Sequence, residues 1–374
     1  MGFPFRYWPA LLLLLSGCVS PVSDNPAPAP DIPTVHRTRI LFVGDVMQHL
    51  TQLNAARTPD GGYDYTECFR HVKPLFDSAD LVIANLETTI TYTGRYRGYP
   101  MFASPPELVY ALREAGVDVA VTANNHSCDR GATGIRHTLM ALDSAGILHT
   151  GTQGDTLASG SSAPLCLESG GIRIALLSYT EWTNGLPVPK GTRVNLIDTT
   201  RIARDLASLA PRNPDCIIVY YHWGEEYRRY PSRAQRELAE WTHRHGADLV
   251  VGSHPHVIQP FEAILRADSS LCGATFYSLG NFVSNQRERH TDGGVAVWVE
   301  IERRDSLPIT YRFSHQLTWV HTPWREGHVR HTILPGSVAD TLLREHPEAW
   351  RLQRFLTDSR QLLSGDTLHF REIR

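Results

Sequence analysis

The 374-residue sequence predicts an α/β fold built on parallel sheets. Three observations carry that prediction. Short apolar runs rich in β-branched residues alternate with helix-like segments through most of the chain. Charged residues make up 20% and hydrophobic residues 42%, an ordinary globular balance. Polar residues with metal-binding or catalytic chemistry recur just past the ends of the apolar runs, where open parallel sheets gather their ligand sites.

Taken in order, Thr38–Val43 (TRILFV) reads as a buried strand ending at Gly44-Asp45. Residues 65–78 have a helix-like distribution interrupted by Pro74. Leu81–Ala84 is the next strand and leads to Asn85-Leu86-Glu87. Pro105-Pro106 opens a helix that runs to Ala115 and stops at Gly116. Val117–Val121 is a strand ending at Asn124-Asn125-His126. Asp129 behind it is placed to cap the helix Gly131–Ala145, which Gly146 terminates.

Residues 163–168 and Ile172–Tyr179 flank Gly170-Gly171 as a hairpin. Asp198 is an N-cap candidate for a helix to Leu209, and Ser232 for a helix to His245. Cys216–Tyr221 ends at His222-Trp223-Gly224-Glu225, and Asp248–Val251 ends at Gly252-Ser253-His254-Pro255-His256. Val257–Leu265 and Ala274–Tyr277 follow as strands. Val295–Ile301 and Ile309–Leu317 alternate apolar and polar residues, as outer antiparallel strands do. The last fifty or so residues are mostly helical in pattern, around 338–345 and 349–363.

The N-terminus reads as an address. Arg6 precedes a short apolar run, Ala10–Leu15, followed by Leu15-Ser16-Gly17-Cys18. The run is too short to span a bilayer and fits a signal-peptide core. Leu-Ser-Gly-Cys resembles the bacterial lipobox, which implies cleavage before Cys18 and lipid attachment there. An ordinary signal peptide with an incidental cysteine is the alternative. Residues 18–37, rich in proline and alanine, are expected to form a disordered tether. The expected division is thus a lipoprotein signal peptide over 1–17, a tether over 18–37, a main domain over 38–320 and a mainly helical extension over 321–374. The protein is expected at the cell envelope, anchored to a membrane and facing the periplasm or the surface.

Thirty-six basic and 39 acidic side chains leave a formal charge of −3, so bulk charge points to no nucleic-acid partner. The five cysteines beyond Cys18 show no disulfide framework.

Asp45, Glu87, Asn125, His222, His254 and His256 each lie just past a strand-like run. In a parallel architecture they converge on one crevice. Three imidazoles, two carboxylates and an amide suit a divalent zinc, manganese or iron ion, one or two in number. His126 is positioned as a proton donor to a leaving group, and Glu225 as a residue orienting a ligand or a water. Bland alternatives exist for each: Asp45 suits a turn, Asn125 suits a left-handed backbone position, and Trp223 suits a core wall. His49 ranks below the six because it falls where a helix begins. Arg95, Arg97, Arg228 and Arg229 are candidates to pair with substrate carboxylates or phosphates, or ordinary solvated charges.

The series GDVM, NLE, TANNHSCDRG, YYHWGEEY, GSHPH and YSLGNF, in this order over roughly residues 38–285, resembles the CapA family of poly-γ-glutamate capsule biosynthesis proteins. That family is similar to the calcineurin-like metallophosphoesterases. The resemblance implies a four-layer α/β/β/α sandwich of the metallophosphoesterase type, with a metal site at the strand ends of two sheets. It assigns Asp45, Asn125, His222, His254 and His256 to ligand positions and His126 to the catalytic histidine. Two departures stand out. Met47 occupies the place of a ligand histidine, and Asn85-Leu86-Glu87 replaces a bridging aspartate. A thioether is a poor ligand for a hard ion, so an altered first metal position is expected. Three functions are compatible with these residues: synthesis, export or anchoring of poly-γ-glutamate or a related envelope polymer by a hydrolase-like site; extracytoplasmic phosphoester hydrolysis; or non-catalytic binding of polymer or synthase proteins.

Overall fold

In the computed structural model, which describes Gly2 and residues 34–155, 164–305, 307–325 and 327–374, the strands form two large sheets. The first has nine strands. Its main path runs Thr332–Pro335, Thr310–His321, Gly293–Arg304, Val35–Val46, Leu81–Leu86, Val119–Val121, Leu148–Thr150. Asn281–Val283 lies beside Val35–Val46, and Phe370–Glu372 beside Thr310–His321. The four strands from Val35–Val46 to Leu148–Thr150 are parallel, and Gly293–Arg304 joins them antiparallel. The second sheet has six strands, with Leu271–Phe276, Leu249–Ser253, Cys216–His222 and Ile172–Thr180 parallel at its centre. Phe261–Leu265 and Leu165–Ser169 close its two edges antiparallel.

Strand alternation builds the layers. Ile40 and Phe42 face a core shared with Ile174, Leu176, Ile218, Tyr220, Leu249 and Val251 of the second sheet. Their neighbours Leu41 and Val43 face the other way, onto residues of the helices Glu107–Ala115 and Gly131–Ala145. Val219, Tyr221 and Val250 likewise turn outward, beneath Thr199–Ala207 and Arg233–Arg244. The order helices, sheet, sheet, helices is the four-layer α/β/β/α sandwich. Each Leu, Ile, Val or Phe fully buried between layers contributes about 1.5–3 kcal/mol before chain entropy is set against it.

Local signals placed several helix ends. Asp198 accepts from the backbone N–H of Thr200 and Arg201, and Ser232 forms a capping box with Gln235. Gly146 stops its helix in a left-handed conformation. Several expectations need correction. Val35, His36 and Arg37, counted with the tether, are strand residues paired with Arg304, Arg303 and Glu302. The helix expected over 65–78 is two short turns, Thr66–Phe69 and Lys73–Phe76, with Pro74 beginning the second. The strand expected from Val257 starts only at Phe261, after Pro260. Gly293–Arg304 is not an outer strand. It lies between two neighbours and is buried on both faces over most of its length. The segment 321–374 carries the helices Gly336–Leu342 and Ala349–Leu363 and also supplies Thr332–Pro335 and Phe370–Glu372 to the first sheet. Cys18 and the signal-peptide run lie outside the described residues. Among the described residues no helix is long and apolar enough to cross a membrane. Cys68, Cys128, Cys166, Cys216 and Cys272 are all free.

Candidate metal centre

The carboxyl ends of the parallel strands meet between the two sheets. Asp45 ends the first strand, opposite Asn85 on one side and Asn281 on the other. This close approach requires Gly44. A side chain there would put its Cβ 1.9 Å from the carbonyl oxygen of Gly280. Glu87 follows the strand Leu81–Leu86, and Asn125 and His126 follow Val119–Val121. From the second sheet, His222 closes Cys216–His222, and His254 and His256 leave Leu249–Ser253. His254 and His256 both adopt positive φ, 96° and 57°. Left-handed backbone is strained for non-glycine residues, so the packed surroundings impose this turn. Gly252 allows the turn's base to lie against Tyr277 and the Trp223 indole. Asn125, a candidate for left-handed backbone, has no such φ.

All six residues expected at the crevice come together, each at most 2% exposed. His222 Nε2 lies 2.9 Å from Asn125 Oδ1, 3.1 Å from His254 Nδ1 and 3.5 Å from Glu87 Oε1. His256 Nδ1 donates to Asp45 Oδ2 at 3.1 Å, and His256 Nε2 is 3.8 Å from Glu87 Oε1. Donor atoms of Asp45, Glu87 and His222 all fall within 4.8 Å of one another, as do those of Glu87, His254 and His256. Both oxygens of Glu87 and the Nε2 of His254 are buried without a hydrogen-bond partner. Burial, and the nearby Asp45 carboxylate, push the Glu87 carboxyl well above its ordinary range. Burial and the neighbouring imidazoles hold His222 well below its ordinary value and bring His254 down to about 3, so both rings are neutral at pH 7.

Outer contacts hold these groups. With Nε2 turned to the centre, His222 Nδ1–H donates to Ser253 Oγ at 3.0 Å. Asn85, in the stretch that stands where a bridging aspartate is expected, donates from Nδ2 to Asp45 Oδ1 at 2.8 Å. Asn124 donates from Nδ2 to the Leu86 carbonyl at 2.8 Å and so ties two strand ends together. Met47 is buried. His49 is the N-cap of the helix Leu50–Ala56, with its Nδ1 accepting from Asn285 N at 3.2 Å.

His126 lies beside the centre with its Nδ1 donating to Asp129 Oδ2 at 2.8 Å. Asp129 is therefore not a helix cap. The residue before the helix is Arg130, and Asp129 Oδ2 also accepts from Phe102 N at 2.7 Å. The Phe102 ring packs edge-on against His126 with centroids 4.5 Å apart. Sequence spacing held a signal for this pair, because residues three apart after a strand end can face each other in a tight turn. Glu225 needs the opposite correction. Its side chain is 70% exposed and pairs with Arg228 at 3.1 Å, so it neither lines the centre nor orients a ligand. Glu181, itself exposed, accepts from Gly224 N at 2.9 Å and ties that turn to the end of the neighbouring strand. Trp223 stacks on Tyr221 and belongs to the core beneath the outer helices. Arg95 and Arg97 are exposed, and Arg229 donates to the Asp358 carbonyl.

Residues 39–286 match the family model described as bacterial capsule synthesis protein PGA_cap. The PGA biosynthesis protein CapA of Bacillus subtilis (strain 168) is 27% identical over 318 residues, covering 83% of this chain and 79% of its own. The capsule biosynthesis protein CapA of Bacillus anthracis is 32% identical over 271 residues, covering 68% of this chain and 62% of its own. Among solved structures, the NAD nucleotidase of Haemophilus influenzae aligns with 91% of this chain and 57% of its own at a TM-score of 0.47 and 11% identity. With two thirds of its length matching the PGA_cap model and its strand-end motifs inside that match, the chain belongs to the CapA family of bacterial capsule synthesis proteins.

Proposed function

We propose that this chain is a CapA-like envelope lipoprotein acting in the synthesis, export or anchoring of poly-γ-glutamate or a related envelope polymer, and that a divalent-metal, hydrolase-like centre is its working part. One observation carries the metal reading. Glu87 is fully buried beside Asp45, both of its oxygens are without a hydrogen-bond partner, and Oε1 faces the Nε2 atoms of His222 and His256. An unpaired buried carboxylate is costly, and so is a set of lone pairs with too few protons to share. One divalent cation would answer both. The mixed nitrogen and oxygen set fits zinc, manganese or iron, and thiolates are absent from it.

Asp45, Glu87, Asn125, His222, His254 and His256 would hold the ion or ions. A bound divalent ion supplies Lewis-acid polarisation of the scissile group and acidifies water for attack. The chain's own residues do the rest. Asp129 receives Nδ1–H of His126 and faces the charge the ring carries when Nε2 is also protonated, so that Nε2–H is the proton passed to the leaving group. Ser253 orients His222, and Asn85 orients Asp45. The nearly complete burial of the donors limits water at the reacting bond. Lipid on Cys18 would anchor the domain to the membrane with its site facing the periplasm or the surface, near polymer-synthase partners. The curated relatives named as probable polyglutamine synthesis accessory proteins, in Mycobacterium tuberculosis, are 32% identical over 209 residues and accord with such a place.

The test has two parts. Metal analysis of the purified chain should find a divalent ion that is lost in His254→Ala and Asp45→Ala. Loaded protein should then cleave γ-linked glutamate oligomers and lose this activity with His126→Ala. A protein that takes up no ion under any loading condition would overturn the metal centre. Phosphoester hydrolysis is the second reading, favoured by the His126–Asp129 pair beside a mixed imidazole and carboxylate donor cluster. Turnover of bis(p-nitrophenyl) phosphate with no action on the oligomers would select it.

A further inference from the structure

A second cluster lies apart from the strand-end centre. We infer that His321, His346 and Glu348 form an additional divalent-cation site suited to zinc, at the wall of a large cavity on the first sheet's side of the molecule. His321 is the last residue of the strand Thr310–His321. His346 and Glu348 lie in the short connection between Gly336–Leu342 and Ala349–Leu363, with Glu348 just before the second helix. Donor atoms of the three residues fall within 4.8 Å of one another. All three line a cavity of about 1000 Å³, which none of the six strand-end residues lines.

The unpartnered atoms are what distinguish the cluster. His321 is 7% exposed, and its Nε2 has no hydrogen-bond partner. Glu348 Oε2 is also buried and unpartnered, and it lies 3.8 Å from that nitrogen. The gap is too long for a hydrogen bond and short enough for both atoms to reach one ion at about 2.0–2.2 Å after a small closure. The other carboxylate oxygen, Oε1, faces Arg287 Nη2 at 3.9 Å, so the two oxygens have separate tasks. Glu348 precedes a helix, yet its side chain caps no backbone N–H. Its own backbone N–H donates to His346 Nδ1 at 3.2 Å, which marks Nδ1 as the lone-pair nitrogen of that ring and the one an ion would take in place of that hydrogen bond. The His346 ring stands edge-on to His321 with centroids 4.9 Å apart.

Two imidazoles and one carboxylate are a set that zinc accepts with a fourth position left open. Here the open position would look into the cavity, whose wall also carries Arg325 and Arg57. An oxygen of a carboxylate or phosphate, or a water, would complete the coordination.

The site is tested on the full mature chain with zinc alone, by counting bound equivalents after dialysis and by the visible absorption of a cobalt(II) replacement. His254→Ala should keep one equivalent at the His321 cluster. His346→Gln with Glu348→Gln should lose one equivalent, or bind it at least tenfold more weakly, while keeping the strand-end ion. Circular dichroism and a melting curve establish that each variant is folded, and Glu348→Ala alone serves if the double variant is not. Unchanged zinc content in the folded His346→Gln, Glu348→Gln variant, or none in folded His254→Ala, overturns the second site. Zinc lost only through the His346 and Glu348 changes leaves it standing and sinks the strand-end centre instead.

Discussion

His126 Nδ1 lies 2.8 Å from Asp129 Oδ2, and both side chains are at most 3% exposed. The same oxygen accepts the Phe102 N–H at 2.7 Å, so the carboxylate is held from a second loop and the imidazole cannot turn freely. Replacing Asp129 by Asn removes the negative charge that faces the ring while it carries protons on both nitrogens, the form from which Nε2–H is given up. Asp129→Asn should lower kcat by roughly 10²–10⁴ while changing KM little. Steady-state kinetics on whichever substrate is turned over checks this. An unchanged kcat would remove His126 from the proton path.

Among the described residues, neither oxygen of Glu87 has a conventional hydrogen-bond partner. In a chelator, Glu87→Gln should be at least as stable as the native chain, because an amide removes one of two adjacent buried acids. With ion at a hundred times its dissociation constant, the native chain should gain about 2.7 kcal/mol and the variant much less. Paired melting curves with and without the ion read the difference. Equal stabilisation of both proteins would exclude Glu87 as a ligand.

Gly44 is tested by adding a single methyl group. Its Cβ would meet the Gly280 carbonyl oxygen at 1.9 Å, and neither backbone has room to retreat inside a paired sheet. Gly44→Ala should cost about 1–3 kcal/mol or more and displace Asp45, lowering ion affinity as well as stability. Denaturant unfolding and ion titration measure the two effects.

Exposure sets the prediction for Glu225. With its ion pair to Arg228 on the surface, Glu225→Ala should leave turnover within about twofold and stability within about 0.5 kcal/mol. A large loss of kcat would show that the Gly224–Tyr227 turn closes over the site during reaction.

Acid sensitivity should come in part from His315, which is away from both donor clusters. Burial lowers its pKa to about 4, its Nδ1 has no partner, and its ring packs edge-on against Phe261. The folded chain keeps it neutral where the unfolded chain protonates it. Its folded pKa lies below the ordinary 6.5, so stability is intact above 6.5 and falls as pH drops toward 4. The shift corresponds to a loss on the order of 3 kcal/mol at the acid end. His315→Leu should flatten that part of the stability profile in denaturant unfolding at pH 7, 5.5 and 4.5. A slope equal to that of the native chain would assign the acid loss to other groups.

Many of the strands and the ligand cluster were legible in the residues, for a physical reason. A buried parallel strand must be apolar on both faces, so its run is visible, and the residue that follows is the first free to be polar. Asp45, Glu87, Asn125, His222, His254 and His256 announced themselves in that way, and topology alone sends such strand ends to one crevice. Caps were legible for a similar reason, because Asp198 and Ser232 act on backbone only two or three residues away.

Contacts distant in sequence were not legible. Asp129 reads as a cap until Phe102, 27 positions earlier, is seen to donate to it. Glu225 stands three residues after His222, yet the positive φ of Gly224 turns the chain outward and leaves the carboxylate in solvent. Gly293–Arg304 alternates like an outer strand, but neighbours on both edges and packing on both faces bury it. His321 and Glu348 are 27 residues apart and meet only because the closing helices fold back over the first sheet. The sequence by itself determined which residues are able to bind an ion or move a proton. Tertiary structure decided which of them face one another, because direction and burial depend on the layers packed around each strand end.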